Sequence, residues 1–160
     1  MKLGIISDTH DNMLAIARAV ELFNAEKVAL VIHAGDFISP ITANEFGKLR
    51  APFAAVFGNN DGDRLYLVER FKEIGRIYPD YHEFEFAGRR AVVMHEPKFI
   101  DSLIKSGDYG LLVYGHTHEI DIRVGETLVV NPGEACGWLT GKSTVVLLDS
   151  EDMTPRLVEL

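Results

Sequence analysis

The sequence predicts an α/β fold in a single domain, residues 1–160, with two packed β-sheets and helices outside them. Three observations predict it. Apolar runs typical of buried strands alternate with helical patterns in the first half. Short strands separated by turn signals fill the second half. The length suits one domain with a full hydrophobic core, and no linker-like segment divides the halves.

The first half reads as a β-α-β-α-β-α series, which implies parallel strands with right-handed crossovers. Asp11 or Asn12 is the expected N-cap of the first helix. Pro40 lies at an early position of the second helix, and Gly75 closes the third. The predicted strands are 3–7, 28–32 and 53–57, and the predicted helices are 13–23, 41–49 and 65–74.

The second half changes character towards short strands. Segments 83–86 and 90–94 flank Gly88 and form a predicted hairpin. Residues 99–105 are predicted to be helical. The remaining predicted strands are 111–114, 120–124, 127–130, 144–148 and 156–158.

Potential metal ligands follow the predicted strands in five short blocks. In open α/β sheets, ligands bind beyond the carboxyl ends of the strands, so these blocks are expected to meet at one edge. A cluster of carboxylates, imidazoles and one amide at that edge predicts a two-metal hydrolytic centre. The blocks are Asp8-Thr9-His10, Gly35-Asp36, Gly58-Asn59-Asn60-Asp61, His95 and Gly115-His116-Thr117-His118.

The donor types indicate how such a centre would work. If Asp8 and His10 lie on an extended segment, residues two apart point the same way and both reach one cation; the same holds for His116 and His118. Asp36, central in the set, is the natural bridge between two ions. Oxygen and nitrogen donors without thiolates suit Mn, Fe, Zn, Co or Ni, and argue against a closed structural zinc site.

The ordered series D-x-H, G-D, G-N-x-D, H and G-H-x-H resembles that of the calcineurin-like metallophosphoesterases. Ser7-Asp8-Thr9-His10 and Asn131-Pro132-Gly133 are similar to the compact YfcE-type phosphodiesterases. Gly58-Asn59-Asn60-Asp61 and Asn131-Pro132-Gly133-Glu134 resemble archaeal members of that branch. The resemblance extends from Lys2 to about Leu148 and implies a four-layer α/β/β/α sandwich with two mixed sheets.

The resemblance also implies the ligand sets and the activity. One metal would be held by Asp8, His10, Asp36 and His118, and the other by Asp36, Asn59, His95 and His116. The expected cofactors are two divalent ions, with Mn²⁺ favoured and Ni²⁺, Fe²⁺, Zn²⁺ or Co²⁺ as alternatives. The expected activity is hydrolysis of a small phosphodiester by a bridging water or hydroxide. The residues expected to take part in catalysis are Asp36, Asn59, Asn60 and His95.

Two positions depart from the family pattern. Many relatives have a His after the metal-binding Asn, where this chain has Asn60, and many compact relatives read H-G-H where this chain has His95-Glu96-Pro97. The usual general acids are therefore missing, which predicts a preference for substrates with good leaving groups. Asp61 is then expected to orient a ligand.

Composition narrows the function classes. The net charge of −8 and a pI near 5.2 do not suggest a nucleic-acid-binding face, which disfavours a nuclease. Cys136 is the only cysteine, which fits a reducing compartment. Asp8 comes too early for a signal peptide and no apolar run approaches a membrane span, so a cytoplasmic protein without a membrane partner is expected. Exposed sheet edges allow a homodimer or higher homo-oligomer.

Several residues near the blocks, and one alternative function, stay open at this level. His33 is expected to be packed, supporting Asp36 without binding metal, and Lys98 to be exposed. Contact of Glu96 or Lys98 with substrate stays open. Glu134 either approaches the site through the Asn131-Pro132-Gly133 turn or faces solvent. The alternative to an enzyme is a catalytically silent metal-binding scaffold for protein interaction, as in the retromer subunit of this fold.

Overall fold

The computed structural model describes residues 1–160 and confirms the four-layer α/β/β/α sandwich. Two mixed sheets pack face to face, and helices cover both outer surfaces. The strands in chain order are β1 (Lys2–Ile6), β2 (Leu30–His33), β3 (Phe53–Val56), β4 (Gly75–Tyr78), β5 (Tyr81–Phe86), β6 (Arg89–Met94), β7 (Leu111–Val113), β8 (Ile120–Arg123), β9 (Leu128–Pro132), β10 (Thr144–Asp149) and β11 (Pro155–Glu159).

The two sheets contain every strand that the sequence predicts, together with β4. The first sheet has the order β11-β10-β1-β2-β3-β4, in which β1 to β4 run parallel. The second sheet has the order β5-β6-β7-β9-β8, with β6, β7 and β9 parallel and the two edge strands antiparallel. The carboxyl ends of β1, β2, β3, β6, β7 and β9 meet along one edge of the sandwich, which positions the predicted ligand blocks.

Three apolar clusters fill the spaces between the layers. One lies between the first sheet and its helices and includes Phe23, Phe37 and Phe46. A second joins the two sheets through residues such as Ile5 and Val113. The third packs the outer face of the second sheet against the fourth helix. The strand ends are thus held in a rigid frame.

The helices are α1 (Met13–Ala25), α2 (Ala43–Phe46), α3 (Arg64–Phe71) and α4 (Ile100–Ser106), with a 3₁₀ turn at Pro40–Thr42. Asn12 caps α1, accepting a hydrogen bond from the Ala15 amide at 3.2 Å, as predicted. None of the helices combines the length and apolar character needed to cross a membrane.

Two helix predictions need correction. The helix predicted over 41–49 is a 3₁₀ turn followed by the four residues of α2. The helix predicted over 65–74 stops at Phe71, and Gly75 begins β4, a strand that the sequence analysis missed. A Cβ at Gly75 would lie 2.0 Å from the Phe53 carbonyl oxygen, so this glycine serves the close approach of β4 to β3 and not helix termination.

Candidate metal centre

The site is built from tight loops that follow the strand ends. Asp8 and His10 follow β1, Asp36 follows β2, and His116 and His118 follow β7. All five have positive φ, between 38° and 70°. The extended geometry predicted for the Asp8–His10 and His116–His118 pairs is therefore wrong. Left-handed turns, not strand periodicity, direct these side chains inward, and such strained residues concentrate at functional sites.

The first predicted ligand set converges in the structure. The nitrogen and carboxylate oxygen atoms that Asp8, His10, Asp36 and His118 offer lie within 4.8 Å of one another. His10 Nε2 is 3.4 Å from Asp36 Oδ2 and 3.9 Å from Asp8 Oδ1. His118 Nε2 lies 3.5 Å from Asp8 Oδ1. These spacings leave room for one cation between the four side chains.

The second predicted set forms an adjoining cluster. The Asn59 amide oxygen is 3.0 Å from His95 Nε2 and 2.9 Å from His116 Nδ1. His95 Nε2 is also 3.5 Å from Asp36 Oδ2. Asp36 therefore borders both clusters, in the position that a bridging ligand requires.

The first cluster contains a buried nitrogen atom that is not hydrogen-bonded. His10 Nε2 is the buried side-chain nitrogen or oxygen that has no hydrogen-bond partner. Buried polar atoms are nearly always paired, so such an atom is an expected metal-binding position. The Asp8 carboxylate raises the pKa of the His10 imidazole against the opposing effect of burial. Together with the carboxylate and imidazole donors around it, the unpaired nitrogen fits a divalent cation.

Asp36 is held as a carboxylate. Burial raises its pKa, but hydrogen bonds with His95 and Asn60 outweigh that effect and hold the pKa well below its usual range. Asn60 donates through its backbone amide to Asp36 Oδ1 at 2.9 Å and through its side chain to Oδ2 at 2.7 Å. The structure therefore places Asn60 against the Asp36 carboxylate.

Two histidine rings are oriented by partners on their Nδ1 atoms. His95 Nδ1 lies 2.8 Å from the Ala34 carbonyl oxygen, and His118 Nδ1 lies 2.8 Å from Glu134 Oε2. Because the carbonyl can only accept, and the carboxylate accepts when ionised, each Nδ1 carries a proton, and a neutral ring then presents the lone pair of Nε2 to the cluster. This is the usual arrangement of metal-binding histidines.

Glu134 is the residue whose position the sequence left undecided. It is fully buried. Burial opposes ionisation, but the contact with His118 and further donors lower its pKa to about 2. Glu134 follows β9, so the strand-end rule applied to the other blocks would have found it. What that rule could not provide was its partner.

Asp61 and His33 support the loops from beneath. Asp61 accepts hydrogen bonds from the backbone amides of Asp36 at 3.2 Å and Gly58 at 2.7 Å, which agrees with its predicted supporting position. His33 is fully buried, accepts from the Gly35 amide at 3.0 Å and lies 3.2 Å from Thr9 Oγ1. As predicted, His33 is packed and stands outside both ligand clusters.

Two glycines allow the loops to approach the carboxylates. A Cβ at Gly58 would lie 2.0 Å from Asp36 Oδ1. A Cβ at Gly115 would lie 1.9 Å from Ser7 Oγ and 2.8 Å from Asp8 Oδ2. Any larger residue at either position would displace a predicted ligand.

Comparison with known proteins agrees with this geometry. The profile of the calcineurin-like phosphoesterase superfamily domain matches residues 1–153. A phosphodiesterase of Methanocaldococcus jannaschii is 43% identical over 165 residues, covering 100% of this chain and 99% of the relative. The solved structure of an archaeal phosphodiesterase, also 43% identical, superposes with a TM-score of 0.94 and full coverage of both chains. The Yfce phosphoesterase of E. coli, at 21% identity, shares the fold with a TM-score of 0.67 over 99% of this chain and 98% of its own.

Proposed function

We propose that this chain, which belongs to the calcineurin-like phosphoesterase superfamily, is a phosphodiesterase that hydrolyses a small phosphate ester with two divalent cations sharing Asp36. One observation carries the proposal: two clusters of nitrogen and oxygen donors meet at a single buried carboxylate. The 43% identity to a phosphodiesterase over the full chain supports the reaction class.

The proposed ligands form two sets that share Asp36. Asp8, His10, Asp36 and His118 would hold one ion, and Asp36, Asn59, His95 and His116 the other. When bound, such an ion pair lowers the pKa of a water between the ions and neutralises charge on phosphoryl oxygens. The oxygen- and nitrogen-only set accepts Mn²⁺, Fe²⁺, Co²⁺, Ni²⁺ or Zn²⁺, and Mn²⁺ is the ion we propose.

This chain differs from many relatives in the residues that could protonate the leaving group. Asn60 cannot act as an acid, and its amide donates to Asp36 instead. Lys98 lies 3.1 Å from Glu96, and both side chains are exposed. With the usual general acids absent at both positions, the leaving group would depart without a proton from either residue. Aryl diesters should therefore react much faster than alkyl diesters.

Turnover of bis(p-nitrophenyl) phosphate with Mn²⁺, with and without chelator, tests the proposal. Wild-type protein should turn over and the chelator should abolish it. Asp36→Asn removes charge facing both sites and should lose bound metal and nearly all activity. Asp101→Asn is the matched control, because Asp101 is 84% exposed and lies in α4. Full activity of Asp36→Asn, or two ions retained per chain, would contradict the assignment.

The alternative is a catalytically silent metal-binding scaffold. It predicts metal binding without chelator-sensitive turnover. The 43% identity to a phosphodiesterase over the full chain favours hydrolysis, because a metal-binding scaffold could keep the same ligands. A cytoplasmic location, the absence of nucleic-acid and membrane partners, and assembly through exposed sheet edges remain predictions.

A further inference from the structure

A cavity of about 720 Å³ opens beside the second ligand cluster. Asn59 and His95 line this cavity as well as the cluster. Its volume lies within the range of about 300–1,000 Å³ that is usual for small-molecule sites. A substrate whose phosphate lies at the metal centre would therefore extend one substituent into this space.

Four aromatic residues contribute to the walls of the cavity. Phe57, Tyr81, Phe99 and Tyr109 all line it. Tyr81 is 62% exposed and Phe99 is 77% exposed, although both are large apolar side chains. Single exposed aromatics are common, but two beside one cavity next to a candidate reaction centre indicate a surface that a ligand covers.

The backbone conformation of Phe99 also supports a ligand-binding role. Phe99 has φ of 61°, a left-handed conformation that is rare for a bulky residue. Its side chain gains little packing in return, since most of it is exposed. Strained residues of this kind concentrate at ligand-binding positions.

Most of the charged groups that line the cavity are already paired. Glu83 accepts hydrogen bonds from the Tyr109 hydroxyl and from Arg90. Lys98 is paired with Glu96. Arg64 donates to the Gly58 carbonyl oxygen at 2.8 Å and stacks over Phe57. Arg90 likewise lies over the Tyr109 ring. The unengaged aromatic surface is therefore that of Tyr81 and Phe99, which suits a neutral planar group.

We infer that this cavity binds an aromatic ring on one ester group of the phosphodiester, and that Tyr81 and Phe99 determine specificity for it. The inference rests on the proposed function, since it requires a phosphate at the metal centre. An aryl group and a nucleotide base share the planar ring that this chemistry recognises.

Calorimetric binding to the Mn²⁺-loaded protein tests this without turnover. Methylphosphonate reports the metal centre alone, and phenylphosphonate adds a ring. Wild-type protein should bind phenylphosphonate roughly tenfold more tightly than methylphosphonate. Phe99→Ala and Tyr81→Ala should each lower the affinity for phenylphosphonate by roughly 3- to 10-fold. The affinity for methylphosphonate should fall by less than about twofold.

Adenosine monophosphate distinguishes the two sources of a ring. If it binds more tightly than phenylphosphonate and shows the same dependence on Phe99, the cavity accepts a base; if it binds no better than methylphosphonate, the cavity accepts a smaller aryl group. Both results support an aromatic site. Tyr66→Ala is the control for the tyrosine variant, because Tyr66 is 48% exposed and outside the cavity lining.

Equal affinity for the two phosphonates in wild-type protein, or unchanged phenylphosphonate affinity in both alanine variants, would overturn the inference while leaving the metal centre intact. If neither phosphonate shows Mn²⁺-dependent binding, the proposed function fails and the ring site falls with it. Both variants change exposed side chains, so loss of folding does not obscure the result.

Discussion

Glu134→Gln is the most informative single substitution, because it tests a residue outside both predicted ligand sets that contacts one of the ligands, His118. Glu134 Oε2 accepts from His118 Nδ1 at 2.8 Å and from the Cys136 thiol at 3.1 Å. Oε1 accepts from the Leu139 amide at 2.9 Å and from the Thr140 hydroxyl at 2.7 Å. Both oxygens of the carboxylate therefore face donors, and no position around it suits an amide NH₂.

The hydrogen bonds around Glu134 explain why the substitution should weaken metal binding. If the new NH₂ faces His118, the imidazole must accept at Nδ1 and carry its proton on Nε2, so Nε2, which faces the predicted metal site, can no longer bind metal. If the NH₂ faces Leu139 and Thr140 instead, the amide and the hydroxyl of Thr140 lose their acceptor. Loss of such a partner typically weakens metal binding about 10- to 100-fold, or about 1.4 to 2.7 kcal/mol.

Titration calorimetry with Mn²⁺ measures the change directly. The affinity for the ion held by His118 should fall, while the affinity for the ion held by Asn59, His95 and His116 should stay unchanged. Glu134→Asp should recover part of the loss because it keeps the charge. Glu69→Gln is the control, since Glu69 is 62% exposed and pairs only with Lys72 at the surface. Wild-type affinity at both sites in Glu134→Gln would refute the orienting role.

The other predictions concern the proton donor, a loop glycine and a surface ion pair. Asn60→His should raise turnover of diphenyl phosphate relative to bis(p-nitrophenyl) phosphate by roughly tenfold or more, since a general acid contributes about 10²- to 10⁴-fold; an unchanged ratio places the missing acid elsewhere. Gly58→Ala should lower turnover by about 100-fold by displacing Asp36, with circular dichroism unchanged; wild-type turnover would contradict the close contact. Lys2, and to a smaller extent Arg156, lower the pKa of the Glu26 carboxyl. The pairing therefore stabilises the fold above the usual glutamate pKa, and this stabilisation disappears as the pH falls through the lowered pKa. The gap in unfolding free energy between wild type and Glu26→Gln, about 1 kcal/mol or less, should therefore close below about pH 4; a gap independent of pH would contradict the pairing.

Local patterns predicted most of the fold because the apolar runs are long and the turn signals clear. The failures have physical causes. The β4 strand was missed because Gly75 is both a helix stop and a residue that permits close strand approach, and only the distance to Phe53 distinguishes the two. The second helix is shorter than predicted because the segment from Pro40 begins as a 3₁₀ turn and α2 ends at Gly47, its C-cap.

The ligand set was predictable because strand ends share an edge, a property of topology and not of detailed coordinates. Local backbone geometry was not: the left-handed φ of Asp8 and His118 depends on tertiary contacts between loops. The pairing of His118 with Glu134 was equally hidden, because the two residues lie on loops after different strands. The aromatic cavity required exposure values that a sequence does not contain.

Anomalous diffraction from crystals grown with Mn²⁺ tests the central claim most directly. Two manganese peaks about 3.5–4 Å apart, one on each side of the Asp36 carboxylate, are the predicted result. A single peak among Asp8, His10 and His118, with Asn59 still hydrogen-bonded to His95 and His116, would contradict a shared two-ion centre.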